Sequence, residues 1–356
     1  MKGQKAKLDF KGQDIFVGLD IGKKSWKTAI YTEKFEHKTI SQPPKVDVLV
    51  NYLKRNFPGA TYHSVYEAGY FGYWIHEQLQ KAGVNSIVVN PADVPTTHKE
   101  KTNKRDKVDA RKLARNLRNT ELKAIYVPEE NALQDRSLVR MRHHFVKKQT
   151  RCKNQIRAQL RFYGAEIPEE LVDSHWSRRF ITWIEELSSE QESSNIALNA
   201  LLDELLHLRQ TITTLSKEIR SLATKERYKS RVSNLVTIPG ISTLSAMILL
   251  TELVDIDRFA SLDQLASYVG LVPGEHSSSE SEVTTGISPR RNSRLRALII
   301  EAAWVAVRKD PALMMTFNTL TKRMTKNKAI IRIARKLLNR IRFVLKNNCP
   351  YQTSVV

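Results

Sequence analysis

Apolar positions in the first part of the chain come in short runs that switch between two periods. IFVGLD (15–20) has the pattern of a buried strand, WKTAIYT (26–32) of a second and KFEHKTI (34–40) of a third. The spacing then predicts a helix over 45–56, a strand in TYHSVYEA, a helix through GYWIHEQLQKAG and a strand in NSIVVNP. Asp106 to Arg118 reads as a further helix, followed by LKAIYV. Three strands in a meander, then alternating helices and strands, predict a mixed α/β sheet.

Beyond this the pattern turns helical. A long helix is expected from Glu129 to about Phe162. Leu198, Leu201, Leu205, Leu208, Ile212, Leu215, Ile219 and Leu222 step by threes and fours, an a/d heptad seam of coiled-coil type. The seam suits either a second subunit or the 129–162 helix. LVTIPGISTLSAMILLTEL reads as two apolar helices around a Pro-Gly turn. That spacing fits a helix-hairpin-helix whose turn offers N–H groups to phosphate, or a plain helical hairpin in a core. Residues 274–292 read as a polar, Ser-rich loop, with basic helices expected over 293–308, 312–323 and 326–347.

Charge changes the picture. The 356 residues hold 58 Lys and Arg against 37 Asp and Glu, a net charge of +21, with 41% hydrophobic residues. A folded chain with this excess points to a polyanionic partner, most often nucleic acid, and away from ordinary small-molecule enzymes. The excess is uneven: residues 1–150 carry +12, 151–230 are balanced and 231–356 carry +9. Two cysteines, Cys152 and Cys349, exclude a disulfide framework or a cysteine zinc cluster. No signal peptide or membrane-spanning run is evident, so a cytoplasmic, nucleoid-associated protein is expected.

The candidate chemistry lies in carboxylates. Asp20 closes an apolar strand in VGLDIGKKSW, and Glu67 does the same in VYEAGY. A strand-end carboxylate followed by glycine leaves room for a metal ion and a phosphate beside the backbone. Asp106 and Asp109 stand three apart at the start of a predicted helix, hence on one face. Their basic neighbours are Lys104, Arg105, Lys107 and Arg111. Four converging carboxylates suit two Mg²⁺ ions clamping the oxygens of a phosphoryl displacement. Singly the signals are ordinary: acids favour helix starts, and Asp-x-Gly after a strand also opens the phosphate loop of actin-like ATPases. The ATPase reading needs later Gly-rich loops, which the 13 glycines do not form.

Taken together, the chain resembles the one-ten family of bacterial insertion-sequence transposases, relatives of the Piv/MooV DNA invertases. The likeness spans nearly the whole chain. It rests on GLDIGK (18–23), YEAGYFGYWIHEQL (66–79), RDKVDARKLA (105–114), TIPGISTLSAMILLTEL (237–253), DRFASLDQLASYVGLVPGEHSSS (257–279) and KNKAIIRIARKLLNRI (326–341). The resemblance implies an α/β N-terminal RuvC/RNase H-like domain over 1–128 and a coiled-coil linker or oligomerisation region over 129–230. A mainly α-helical C-terminal transposase domain would follow over 231–356, with the helix-hairpin-helix-like segment and a serine loop. Matched by motif, the family's D-E-D-D metal set is Asp20, Glu67, Asp106 and Asp109. Its nucleophilic serine follows a Gly-Leu-x-Pro turn, here Gly270 to Pro273, and falls on Ser278, between Ser277 and Ser279. This chain departs from the family in Glu-Ala-Gly for Glu-Ala-Thr-Gly, in Arg105 for a frequent Thr, and in the acidic Glu280 and Glu282 after the serine.

The implied activity is DNA recombination for transposition. The serine attacks a DNA phosphate and forms a phosphoserine link, with Mg²⁺ at the RuvC-like site of one subunit acting beside the serine of another. Expected partners are donor and target DNA, a noncoding bridge RNA encoded by the element, and further copies of the chain as a dimer or tetramer. Arg290, Arg291, Arg294, Arg335 and Lys336 join the four basic residues around Asp106 as expected nucleic-acid contacts. Two rival readings stand beside this one: a RuvC-like metal-dependent nuclease without a serine intermediate, and a non-catalytic nucleic-acid-binding regulator.

Overall fold

β1 (Asp14–Ile21), β2 (Trp26–Tyr31) and β3 (Glu36–Gln42) form an antiparallel meander. β4 (Thr61–Glu67) and β5 (Asn85–Val89) continue the sheet in parallel on the other side of β1, giving the order β3-β2-β1-β4-β5. The computed structural model describes residues 9–96, 106–172, 176–187, 192–278 and 281–353. Chain contacts divide it into two compact units, 1–127 and 128–356.

In the first unit, side-chain alternation builds two layers on one sheet. Ile15, Val17 and Leu19 of β1 point to the face covered by α1 (Val46–Asn56) and α2 (Trp74–Lys81), where they meet Leu49, Leu53, Ile75 and Leu79. The opposite face carries α3 (Asp106–Arg118), which packs Leu113 against Val65 and Val89, and Ala110 and Ala114 against Ala29. These elements match the sequence expectation for a mixed sheet. LKAIYV differs: among the described residues it contributes a single bridge, Ala124 to Val89.

The second unit is mostly helical. α4 (Glu130–Phe162) and, after the short α5 (Glu169–Val172) and α6 (Arg178–Glu186), α7 (Glu192–Ala223) run antiparallel. Cys152 Sγ donates to Leu201 O at 3.3 Å and Arg142 Nε to Ser216 Oγ at 2.7 Å, which sets that direction. Leu198, Leu205, Leu208, Ile219 and Leu222 of the heptad seam are buried, and the first three share a cluster with Cys152, Ile156 and Leu160 of α4. Leu202 is buried where Leu201 was expected, as befits a helix whose apolar stripe drifts at 3.6 residues per turn. This seam is therefore occupied by the chain's own α4.

α8 (Glu226–Leu235), α9 (Thr243–Leu253), α10 (Leu262–Val269), α11 (Ser293–Lys309), α12 (Pro311–Thr321) and α13 (Lys326–Asn347) enclose the largest core. α9 is buried on nearly every side, from Ala246 to Leu253. At the Pro-Gly turn before it, Gly240 has φ +91°, and a Cβ there would lie 2.5 Å from Ala302 O of α11. The turn thus presses its backbone onto a neighbouring helix. The expected Ser-rich loop contains a β-hairpin instead, β6 (Pro273–Ser278) and β7 (Ser281–Ile287). Its serines masked a β-branched strand in EVTTGI. Among the described residues, no helix is long and apolar enough to cross a membrane.

Candidate active site

β1 and β4 are parallel neighbours whose register ends at Leu19 opposite Tyr66, so Asp20 and Glu67 are the next residue on each strand. Both follow a core residue, Leu19 and Tyr66, and so point to the opposite face, the one that α3 covers. Gly18 and Val65, two residues earlier, share that face and touch α3. The strand end is firmly placed: Ala68 N donates to Val89 O at 2.8 Å, carrying the β4–β5 ladder past Glu67.

Gly18 sets the depth of α3. A Cβ at this position would fall 2.1 Å from Ala110 O and 2.4 Å from Ala114 N. Only glycine lets the helix backbone lie this close to the strand. The approach brings Asp109, one residue before Ala110, to the ends of β1 and β4. Gly18→Ala is expected to lower stability by about 2–3 kcal/mol through overpacking. A thermal melting curve beside the parent checks this, and Asp109, which rides on the same helix, moves with it.

Lys112, which the sequence reading passed over, joins the cluster. Its Nζ lies 3.2 Å from Asp109 Oδ1 and 3.6 Å from Glu67 Oε1, with the lysine side chain 8% exposed. In the string DARK a lysine three residues after Asp109 shares that residue's helix face. That spacing was the available signal, but the surrounding basic run made it look like a solvated face.

Asp106 begins α3, and its side chain lies outside the described atoms. Lys104 and Arg105 lie outside the described residues, and for Lys107 only the helical backbone is described. Arg111 is engaged on β3, donating through Nε to Glu36 at 2.7 Å and to Thr39 at 3.0 Å. Burial pushes the Glu36 carboxyl up, but hydrogen bonds from Thr39, Arg111 and Tyr31 hold it below its ordinary range. The donors at the strand ends are hard carboxylate oxygens, the chemistry that suits Mg²⁺. Among the described residues no three His, Cys, Asp or Glu side chains are grouped closely enough to hold one ion.

The second candidate region is the β6–β7 hairpin. Ser278 ends β6 opposite Ser281, with Ser277 opposite Glu282 and His276 opposite Val283. The side chains of these residues, like Ser279 and Glu280, lie outside the described atoms. The foot of the hairpin is tightly held. Ser288 N donates to Val272 O at 3.0 Å, and the buried Arg296 guanidinium donates to Ser288 O. Gly270, at φ +85°, ends α10 where a Cβ would meet Arg296 Nη2 at 2.3 Å.

Beneath this foot lies Glu252, 1% exposed, the other residue that sequence reasoning missed. It accepts from Arg140 Nε and Nη2, each at 2.8 Å, and from Asn292 Nδ2 at 3.0 Å. Asn292 in turn caps α11 by accepting from Leu295 N. Burial pushes the Glu252 carboxyl up, yet the hydrogen bond and charge of Arg140, with Asn292 and Arg136, bring it below its ordinary value. An acid within the apolar run ILLTEL was the sequence signal for a buried ion pair.

The expected nucleic-acid residues of this unit differ in setting. Arg290 and Arg291 are exposed, the latter donating to Pro289 O at 3.2 Å. Arg294 lies 3.9 Å from Glu252, and Arg335 pairs with Asp263. Lys336 is exposed on α13. A cavity of about 720 Å³ opens between the hairpin foot and α13, with Val272, Ile287 and Ile331 in its wall and Lys328, Arg332 and Arg335 beside them.

Comparison with known proteins covers the residues of both regions. Residues 17–165 match a DEDD-type family model described as Transposase, and residues 232–318 match one described as Transposase IS116/IS110/IS902 family. A Sinorhizobium fredii protein named as a transposase, y4qE, is 29% identical over 309 residues, covering 85% of this chain and 74% of its own. The transposase for insertion sequence element IS1111A of Coxiella burnetii is 29% identical over 266 residues, 71% of this chain and 69% of that one. The pilin gene-inverting protein of Moraxella bovis is 33% identical over 177 residues, 47% of this chain and 53% of its own. The first match carries the carboxylates and the second the hairpin that bears Ser278, and the chain accordingly belongs to the IS116/IS110/IS902 family of transposases, enzymes that cut and rejoin DNA.

Proposed function

We propose that this transposase recombines DNA by phosphoryl transfer divided between two regions: a RuvC-like carboxylate site formed by Asp20, Glu67, Asp106 and Asp109, and Ser278 as nucleophile. The observation that carries the reading is the placement of Asp20 and Glu67 side by side at the ends of adjacent strands, on the face that α3 covers, with Asp109 and Glu67 joined through Lys112. Bound Mg²⁺, two ions on this reading, supplies the electrostatic stabilisation on which phosphoryl transfer mainly depends. The chain's own groups do the rest. Ser278 Oγ forms a bond to the scissile phosphorus as one P–O ester bond breaks, and the departing DNA hydroxyl ends with the proton that the serine gives up. A second DNA hydroxyl later reverses the step, so the bond energy is conserved. Exposed Arg290 and Arg291 supply charge for the DNA backbone.

On this reading the carboxylates of one subunit serve the serine of another, in a dimer or tetramer. Sequence choice is delegated to a bridge RNA, which leaves the protein's basic residues to backbone contacts.

Covalent trapping tests the serine. Parent protein incubated with substrate DNA and Mg²⁺, then denatured, should yield a protein–DNA adduct that Ser278→Ala abolishes and Ser277→Ala retains. An adduct that survives Ser278→Ala removes that residue as nucleophile. Cleavage without any adduct favours the hydrolytic nuclease, and Mg²⁺-independent binding without cleavage favours the regulator. Undiminished recombination after ribonuclease treatment would remove the RNA guide.

A further inference from the structure

The carboxylate site contains a cation of its own. Lys112 rises from α3 one turn after Asp109, and its Nζ stands between Asp109 Oδ1 and Glu67 Oε1 at 3.2 and 3.6 Å. The lysine side chain is 8% exposed, whereas those of Glu67 and Asp109 are 33% and 30% exposed. The ammonium therefore approaches the two carboxylates from the protein side, and they open toward solvent. A lysine buried to this extent requires anionic partners, because an unpaired ammonium out of water is strongly disfavoured. Attachment of α3 to the sheet does not depend on this pairing. Gly18, Ala29, Val65 and Val89 already hold Ala110, Leu113 and Ala114 by close apolar packing.

The oxygens that the ammonium holds are among those that a divalent ion would use. Two cations cannot both draw full benefit from the same two carboxylates, so each weakens the other's hold. An ammonium loosened from Glu67 and Asp109 needs another anion nearby. The phosphodiester of a bound DNA strand, which the carboxylate reading brings to this face, is such an anion.

We propose that Lys112 is a positioning residue that competes with the divalent ion for Glu67 and Asp109 and transfers its charge to a DNA phosphate when substrate binds. This rests on the carboxylate assignment made above. Metal and DNA are then linked through one side chain. DNA draws the ammonium away and frees the carboxylates for metal, and by reciprocity metal makes Lys112 available to DNA. Without DNA the site binds metal weakly, and a transposase not engaged with its substrate is not armed.

Calorimetric titration of the full chain with Mn²⁺, with and without a DNA duplex, reads this coupling without requiring cleavage. Lys112→Met keeps the length of the buried stem and removes the charge; Lys112→Gln removes the charge and keeps a hydrogen-bonding end. Both are expected to bind Mn²⁺ about tenfold more tightly than the parent in the absence of DNA, as loss of a competing charge at 3–4 Å requires. DNA should then tighten Mn²⁺ binding less in these variants than in the parent, by a similar factor. Lys112→Arg, which keeps the charge, should behave as the parent does. Equal or weaker Mn²⁺ binding by the folded Met and Gln variants without DNA overturns the competition. A parent affinity unchanged by Glu67→Gln overturns the carboxylate assignment itself, and the role of Lys112 with it.

Discussion

Asp20→Asn and Glu67→Gln are each expected to reduce Mg²⁺-dependent strand cleavage by about a hundred- to a thousandfold, the scale on which lost electrostatic stabilisation of a transition state is felt. Both substitutions keep side-chain volume and remove only charge. Neither residue belongs to the core: Asp20 and Glu67 follow the buried Leu19 and Tyr66 at the ends of adjacent strands. The side chains that pack α1, α2 and α3 on the sheet are mainly apolar, and Lys112 keeps Asp109 as a partner when Glu67 loses its charge, so melting temperatures should stay within a few degrees of the parent. A gel assay on a labelled substrate, run beside thermal unfolding, checks both halves. Cleavage within tenfold of the parent in either variant would remove that carboxylate from the site.

The second large effect is on stability. Glu252→Ala should destabilise the second unit by about 3 kcal/mol, because a buried carboxylate with three hydrogen bonds is lost along with its volume. The Arg140 side chain is 41% exposed and can turn partly to water, which keeps the cost below that of a fully enclosed pair. The damage should not remain local. Asn292 loses its partner at the start of α11, four residues after Ser288 at the hairpin foot. DNA recombination is therefore expected to fall by more than the fraction unfolded.

Acid provides a check on the same pair. The Glu252 carboxyl is held below its ordinary 4.5, so the pair contributes its stability above that pH. The contribution is lost as pH falls through the lower folded value. The difference in unfolding free energy between parent and Glu252→Gln should be constant above pH 5 and shrink at more acid pH. A difference that grows on acidification would contradict the assignment.

Most of the first unit was legible because its signals are local. Alternation over 15–20 and 26–32, and the run from Asp106 to Arg118, each announce an element within its own residues. The placement of Asp20 beside Glu67, and of Asp109 near Glu67 through Lys112, was not legible within single elements, since it depends on strand order and on the fit of Gly18 beneath α3. Lys112 and Glu252 were passed over for opposite reasons. One charge lay in a basic run that resembled a solvated face, and the other in an apolar run where a charge has no obvious partner. Arg140, which answers Glu252, lies 112 residues away. The heptad seam announced a partner helix but not its address, because periodicity describes one surface only.

The α4–α7 hairpin has a consequence for the element as a whole. The two arms face each other residue for residue, Arg142 beside Ser216 and Cys152 beside Leu201, and the outer stretch has its own core around Ile156, Leu160, Leu202 and Leu205. The root is fixed separately, through Arg140 to Glu252. Removing one heptad from each arm at facing positions shortens the hairpin by about 10 Å and leaves the root intact. The hairpin is thus a yardstick whose length can change by matched turns while its root, and the core that α8 to α13 enclose, stay as they are.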